Sequence, residues 1–206
     1  VLYNGRHYME EKTAYNTLQP SFIFRIGNHV KLTTQFNYAN NSDELQYVNT
    51  VKASAGNEES TEYVLGRMKQ RTYGVTMNMQ VNLTPDISIQ CYGSPFTSTA
   101  KYDRFKTALD TRSHHYEDRF SAIDDQEITA GDGNYAVIKD GKSFSFKDPN
   151  FSFNEFRSNL VARWEYKPGS TVYLVWEHNR SRQDPRYYPT WGNNIDRMFG
   201  FQGVNT

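Results

Sequence analysis

The sequence is poor in cysteine, in net charge and in long apolar runs, and each shortage removes a class of protein. One of its 206 residues is cysteine, Cys91, so no disulfide closes within the chain and no cysteine cluster holds a metal. The 23 basic and 23 acidic side chains cancel, which argues against a nucleic-acid binder, because such proteins carry a basic patch. No run of about 18 apolar residues occurs, so no transmembrane helix is expected. The chain has no phosphate-binding glycine loop, no Gly-x-Ser-x-Gly elbow and no His-Glu-x-x-His pair. The hydrophobic fraction is 37% and the mean hydropathy −0.80, low for a soluble domain. A membrane β-barrel tolerates such values, because only alternate strand residues are apolar and its loops are polar.

Aromatic residues, by contrast, make up 15% of the chain, with 15 Tyr and 13 Phe. That argues against disorder and suits the aromatic girdles of barrels. The clearest pattern runs from Tyr73 to Leu83. Tyr73, Val75, Met77, Met79, Val81 and Leu83 alternate with Gly74, Thr76, Asn78, Gln80 and Asn82, the period of a β-strand with one apolar face.

The same reading predicts six strands, at about 16–26, 29–40, 61–83, 87–96, 155–166 and 171–179. Short turns join them in pairs. Gly27-Asn28 is a two-residue hairpin signal, Thr84-Pro85-Asp86 a turn with preset φ, and Lys167-Pro168-Gly169-Ser170 fits a type II turn. Stretches 41–60, 97–154 and 180–206 read as long polar loops. Within the second, Tyr135–Ile138 and Ser143–Phe146 suggest a small hairpin across Asp140-Gly141. In the strand 171–179 both faces are partly apolar, so its orientation is open. Following the chain direction puts all three short turns on one side and the long connections on the other. Outer-membrane barrels have this asymmetry, with short periplasmic turns and long extracellular loops. The expected fold is therefore all-β, an antiparallel up-and-down meander forming part of a transmembrane outer-membrane β-barrel. Six strands do not close one, since single-chain bacterial barrels begin at about eight.

On this reading Val30, Leu32, Phe36, Val75, Met77, Met79, Val81, Ile87, Ile89, Leu160 and Trp164 face lipid. Arg163 and Glu165 share the opposite face, where a charge pair is a simpler reading of Glu165 than catalysis. His114-His115 with Glu117 and Asp118 lacks the spacing of a metal site. The acidic loop around Asp124, Asp125 and Asp132 does not meet the ligand spacing of an EF-hand. Tyr187, Tyr188 and Trp191, with Phe199 and Phe201, offer rings for a sugar or a partner, or for packing on the strands. No catalytic residue, metal or cofactor is assigned.

Several phrases carry a resemblance: Leu45-Gln46-Tyr47-Val48, Arg67 to Thr72, Leu83 to Gln90, Tyr92 to Phe96 and, most specifically, Asn154 to Trp176 (NEFRSNLVARWEYKPGSTVYLVW). Over about Tyr15 to Asn179 the chain resembles the C-terminal barrel of Bacteroidota-type outer-membrane proteins that carry an N-terminal carbohydrate-binding, family-nine-like domain. That barrel is classed as a domain of unknown function, so the resemblance brings no catalytic residues with it. The N-terminal domain and the aromatic-ended final strand of that family are not in this sequence, and no leader is visible at Val1. The expectation is a portion of a longer protein.

Three functions follow as expectations. The first is an outer-membrane barrel segment serving as membrane anchor, pore or partner platform and linked to glycan handling. Its partners would be outer-membrane lipid, other outer-membrane proteins in a complex and glycan, with no nucleic acid. The second is a soluble β-sheet carbohydrate-binding module. The third is a hydrolase-associated domain with carboxylates drawn from Asp124, Asp125 and Glu165.

Overall fold

The computed structural model describes residues 1–8 and 13–199. Phe201 lies outside that range. Over the described residues the chain is all-β and antiparallel, with one short helix. Its strands are β1 (Leu2–Tyr8), β2 (Thr13–Gln19), β3 (Ser21–Ile26), β4 (Val30–Ala55), β5 (Glu58–Thr84), β6 (Ile87–Ala108), β7 (Phe120–Ala122), β8 (Ile128–Gly131), β9 (Asn134–Lys139), β10 (Lys142–Lys147), β11 (Phe151–Lys167) and β12 (Ser170–Asp184). A 3₁₀ turn covers Tyr116–Arg119 and the helix α1 covers Trp191–Phe199.

The main wall runs β12-β11-β6-β5-β4, with β2 and β3 on the far side of β4 and β1 beyond β2. The sheet is open: β12 forms one edge, and β1 and β3 the other. Pro20 splits the expected strand 16–26 into β2 and β3. Proline has no N–H to give the ladder, yet the pairing register on β4 is the same on both sides of it, and Pro20 still accepts a bond from the Phe36 amide at 2.9 Å. The first hairpin loop is Gly27 to His29, one residue longer than expected, since Ile26 pairs with Val30. At the last turn Gly169 has φ +78°, the left-handed value that the second central position of a type II turn requires.

The largest corrections concern the expected loops. Segment 41–60 is the far half of the β4–β5 hairpin, and strands of 26, 27 and 22 residues rise well beyond the first alternating stretch. Register shifts at Asp43/Gln46 and Tyr47/Asn49 bend β4 as it does so. A shift between Leu65 and Arg67 does the same for β5 and β6, with Arg104 at φ +49°. These segments read as loops because their outward positions are polar and the bulges break the period of two.

Segment 97–154 is likewise structured. β6 continues to Ala108, and β8, β9 and β10 form a ribbon whose Asp140-Gly141 turn has φ +49° and +75°, as a type I′ hairpin needs. The ribbon joins the edge of β4 through Ser143 and Ser54. It folds across the sheet, because Phe105 on β6 meets Tyr135 and Phe146 with ring centroids 5.1 Å apart in both cases. Val51, Ala53, Val64, Phe105, Ile123, Val137, Phe144 and Phe146 make up the resulting core. The far end of the sheet is thus a small folded unit. Helix α1 likewise replaces part of the loop expected over 180–206.

Phe146 is almost fully buried. Phe146→Ala should destabilise this unit by about 3–5 kcal/mol, the usual cost of emptying a buried aromatic site. Amide exchange should quicken at Val137 and Phe144 while the centre of β11 and β12 keeps its protection. An equal loss of protection throughout would show instead that unit and wall unfold together.

Candidate functional site

Strand pairing sets side chains in level rows. Val30, Val81, Ile89, Ala162 and Leu174 form one row across β4, β5, β6, β11 and β12. Leu32, Met79, Cys91, Leu160 and Trp176 form the next. Towards the short turns lie Ile87, Trp164 and Val172, and β3 extends the surface with Phe22, Phe24 and Ile26. The register therefore orients β12, putting Val172, Leu174 and Trp176 on this face and Tyr173 and Val175 on the other. It also gathers Val30, Leu32, Phe36, Val75, Met77, Met79, Val81, Ile87, Ile89, Leu160 and Trp164 onto one surface.

No layer covers this surface among the described residues. Phe24 is 54% exposed, Leu174 64% and Trp176 55%. Tyr73 to Leu83 spans about 33 Å along the strand at ~3.3 Å per residue. A strand tilt of about 45° reduces that to roughly 23 Å, close to the ~25 Å apolar band of outer-membrane barrels.

The opposite face is mainly polar over the same height, with Ile23, Val161 and Val175 as its apolar exceptions. Lys31, Thr33, Gln35 and Asn37 pair with Gln80, Asn78, Thr76 and Gly74. Arg157 and Glu155 bridge at 2.8 Å, and Arg163 and Glu165 at 2.6 Å. The Glu165 side chain also accepts a bond from the Gly169 amide at 3.1 Å, which ties it to the last turn.

The apolar face ends at a sharp upper margin. Tyr38 and Tyr73 meet at 5.2 Å between centroids, and Trp191 of α1 sits 5.6 Å from Tyr73. The next rows on that face are Asn40 with Arg71, then Ser42, Lys69 and Lys101. Above them Arg67 donates two bonds to Asp103, at 2.5 and 2.8 Å. Glu44 lies 3.7 Å from Arg67, 3.9 Å from Arg104 and 4.0 Å from Lys106.

The DUF5916 model, described as a domain of unknown function, matches residues 2–206. The chain belongs to this family. No curated protein and no solved structure matches it.

In this DUF5916 domain the rings singled out near the C-terminus are engaged locally. Trp191 packs on Tyr73. Tyr188 stacks beneath the Arg197 guanidinium, 3.9 Å from its centroid, and its amide donates to Ser152 at 2.9 Å. Arg197 also pairs with Asp184. Tyr187 is half-buried. Phe199 meets Phe156 at 5.0 Å, so α1 lies across the upper end of β11. The carboxylates considered for hydrolysis are not brought together. Asp124 and Asp125 line a surface hollow with Asp103 and Arg104 in the far unit, whereas Glu165 stands beside the last short turn. His114 and His115 are exposed, and among the described residues no group of three or more His, Cys, Asp or Glu could hold a metal. Sequence reasoning missed the Arg67–Asp103–Glu44 network, whose members are separated in the chain and meet only once β6 is known to continue past Phe96.

The bonds from Arg67 hold the Asp103 carboxyl below its ordinary range, against the opposing effect of burial. A carboxylate depressed in the folded state stabilises the protein above its unfolded pKa, and that stability is lost as pH falls through the folded value. Asp103→Asn should therefore cost roughly 1–2 kcal/mol at neutral pH, limited by the partial exposure of the pair. It should also flatten the acid limb of a stability-versus-pH curve. An unchanged acid limb would show that the pair adds nothing.

Proposed function

We propose that this chain is a wall segment of an outer-membrane β-barrel, with its apolar face in lipid and its polar face towards the lumen. It anchors the folded far unit outside the membrane. One observation carries the reading: an exposed apolar surface that runs over β3, β4, β5, β6, β11 and β12 in the rows nearest the short turns, interrupted above them by Thr34, Ser158 and His178, and backed by a mainly polar surface. A soluble β-sandwich would bury the first surface under a second layer, and α1 reaches only its upper margin. In a barrel both surfaces have their natural solvent, lipid outside and water inside. Charge pairs such as Arg163–Glu165 suit a wet lumen.

The ends of the wall agree with this orientation. The turns at Gly27–His29, Pro85-Asp86 and Pro168-Gly169 share one end, as periplasmic turns do. The far unit then stands on the extracellular side, where it serves as a platform for partners or glycan. Hydrocarbon does not tolerate unpaired strand edges, so β12 on one side and β3 on the other require further strands, from the same polypeptide or from a second chain.

The test uses single cysteines in a Cys91→Ser background. Val75→Cys and Met79→Cys should react with a lipid-soluble maleimide and resist a water-soluble one in the native membrane. Asn78→Cys and Gln80→Cys should be open to the water-soluble reagent through the lumen. Equal water-soluble labelling of Val75→Cys and of a cysteine in the Pro85-Asp86 turn would rule the lipid-facing wall out.

A further inference from the structure

Lys69 and Lys101 are paired directly across β5 and β6. Cross-strand partners hold their Cβ atoms about 4.5–5.5 Å apart, and like charges there repel. Arg71 lies two residues from Lys69 on the same face, and all three side chains are exposed. The nearby carboxylates do not balance them. Asp103 is engaged by Arg67 and approaches Lys69 only to 4.0 Å. Glu44 lies against Arg67, Arg104 and Lys106. Among the described residues no carboxylate pairs with Arg71 or Lys101. Three repelling cations on one small surface are a site for a multivalent anion.

A second observation names the rest of the ligand. Directly below Arg71, on the same face, is an open apolar cavity of about 430 Å³ lined by Leu18, Phe36, Tyr38, Tyr73, Val75 and Trp191. That volume lies within the ~300–1,000 Å³ range of ligand pockets. Cations therefore stand above an apolar slot, in the order in which a lipid presents phosphate and acyl chain at the outer boundary of a bilayer.

We propose that Lys69, Arg71 and Lys101, with the cavity beneath Trp191, bind a lipid bearing a phosphate headgroup. The cations take the phosphate oxygens and the cavity takes part of an acyl chain. The inference rests on the membrane reading above, because it needs the apolar face to be in lipid. Arg is suited to bidentate contact with phosphate and Lys to point-charge neutralisation. A bound anion offsets the repulsion that the distant Asp103 carboxylate leaves between the paired lysines.

The full-length protein is reconstituted into phosphatidylcholine vesicles, with and without about one-fifth phosphatidic acid. Insertion is read by protease protection, and retained lipid by mass spectrometry after gentle extraction. The ratio of phosphatidic acid to phosphatidylcholine in the retained lipid should be roughly tenfold the ratio in the bulk vesicle, given the attraction of each cation at an anionic surface. The triple variant Lys69→Gln, Arg71→Gln, Lys101→Gln should insert normally and lose the enrichment. Val75→Trp, which fills the cavity, should lower it with the cations intact. Normal insertion without enrichment, or enrichment unchanged in the triple variant, overturns the lipid site and leaves the barrel reading standing. Displacement by millimolar inorganic phosphate identifies a free-anion site and overturns the lipid assignment. Failure to insert into either vesicle contradicts the barrel reading and the inference with it.

Discussion

Side chains on a β-strand alternate with period two, so a pairing slip of one residue moves a whole strand's apolar set to the other face. In this chain β3, β4, β5, β6, β11 and β12 are all paired in step over the stretch nearest the short turns. Val30, Val81, Ile89, Ala162 and Leu174 fall in one row only because every register agrees. A slip at β5 alone would set Asn78 and Gln80 among Leu32, Ile89 and Leu160, and Met77 and Met79 among the amides of the polar face. Register is thus what separates an apolar surface from a polar one.

The hydrogen-bonded ladder does not stop where the apolar band stops. β4, β5 and β6 continue upward through bulges. Above the Tyr38–Tyr73 level the formerly apolar face carries Arg67, Lys69, Arg71 and Lys101. The formerly polar face acquires Val51, Ala53 and Val64, which bury against Phe105 and the β9–β10 ribbon. The two faces exchange character along the same strands. Below the margin the apolar side chains are turned outward, and above it they are turned inward under a folded cap. Helix α1 marks the changeover, with Trp191 on the aromatic row and Arg197 tied to Asp184 above it.

This exchange explains what could be read in the sequence. Tyr73 to Leu83 kept a strict period with one apolar face, and the turns at Pro85-Asp86 and Pro168-Gly169 are set by local chemistry, so wall and turns were legible. So were the eleven residues of the apolar face and the Arg163–Glu165 pair, because each depends only on alternation along a strand. β12 was ambiguous because Tyr173 and Val175 place apolar groups on the polar face, and only its pairing with β11 orients it. Asn40 to Ser60 looked like a loop because bulges at Asp43/Gln46 and Tyr47/Asn49 interrupt the period, and because its buried residues are few and small. β1 carries no clean alternation of its own, and its register is supplied by β2. The cationic site was invisible because Lys69 and Lys101 become neighbours only through the pairing of β5 with β6.

The central claim is that one face of the wall meets lipid and the other meets water, with the boundary between Tyr73 and Arg71. The most direct measurement is spin-label accessibility along β5, residue by residue from Lys69 to Leu83, in the native membrane. Oxygen, which concentrates in hydrocarbon, should reach positions 75, 77, 79 and 81. A water-soluble nickel chelate should reach 74, 76, 78 and 80, and the oxygen preference should vanish at Arg71. Low accessibility of 75, 77, 79 and 81 to both reagents would mean that the apolar face is packed in a protein core, and would contradict the account.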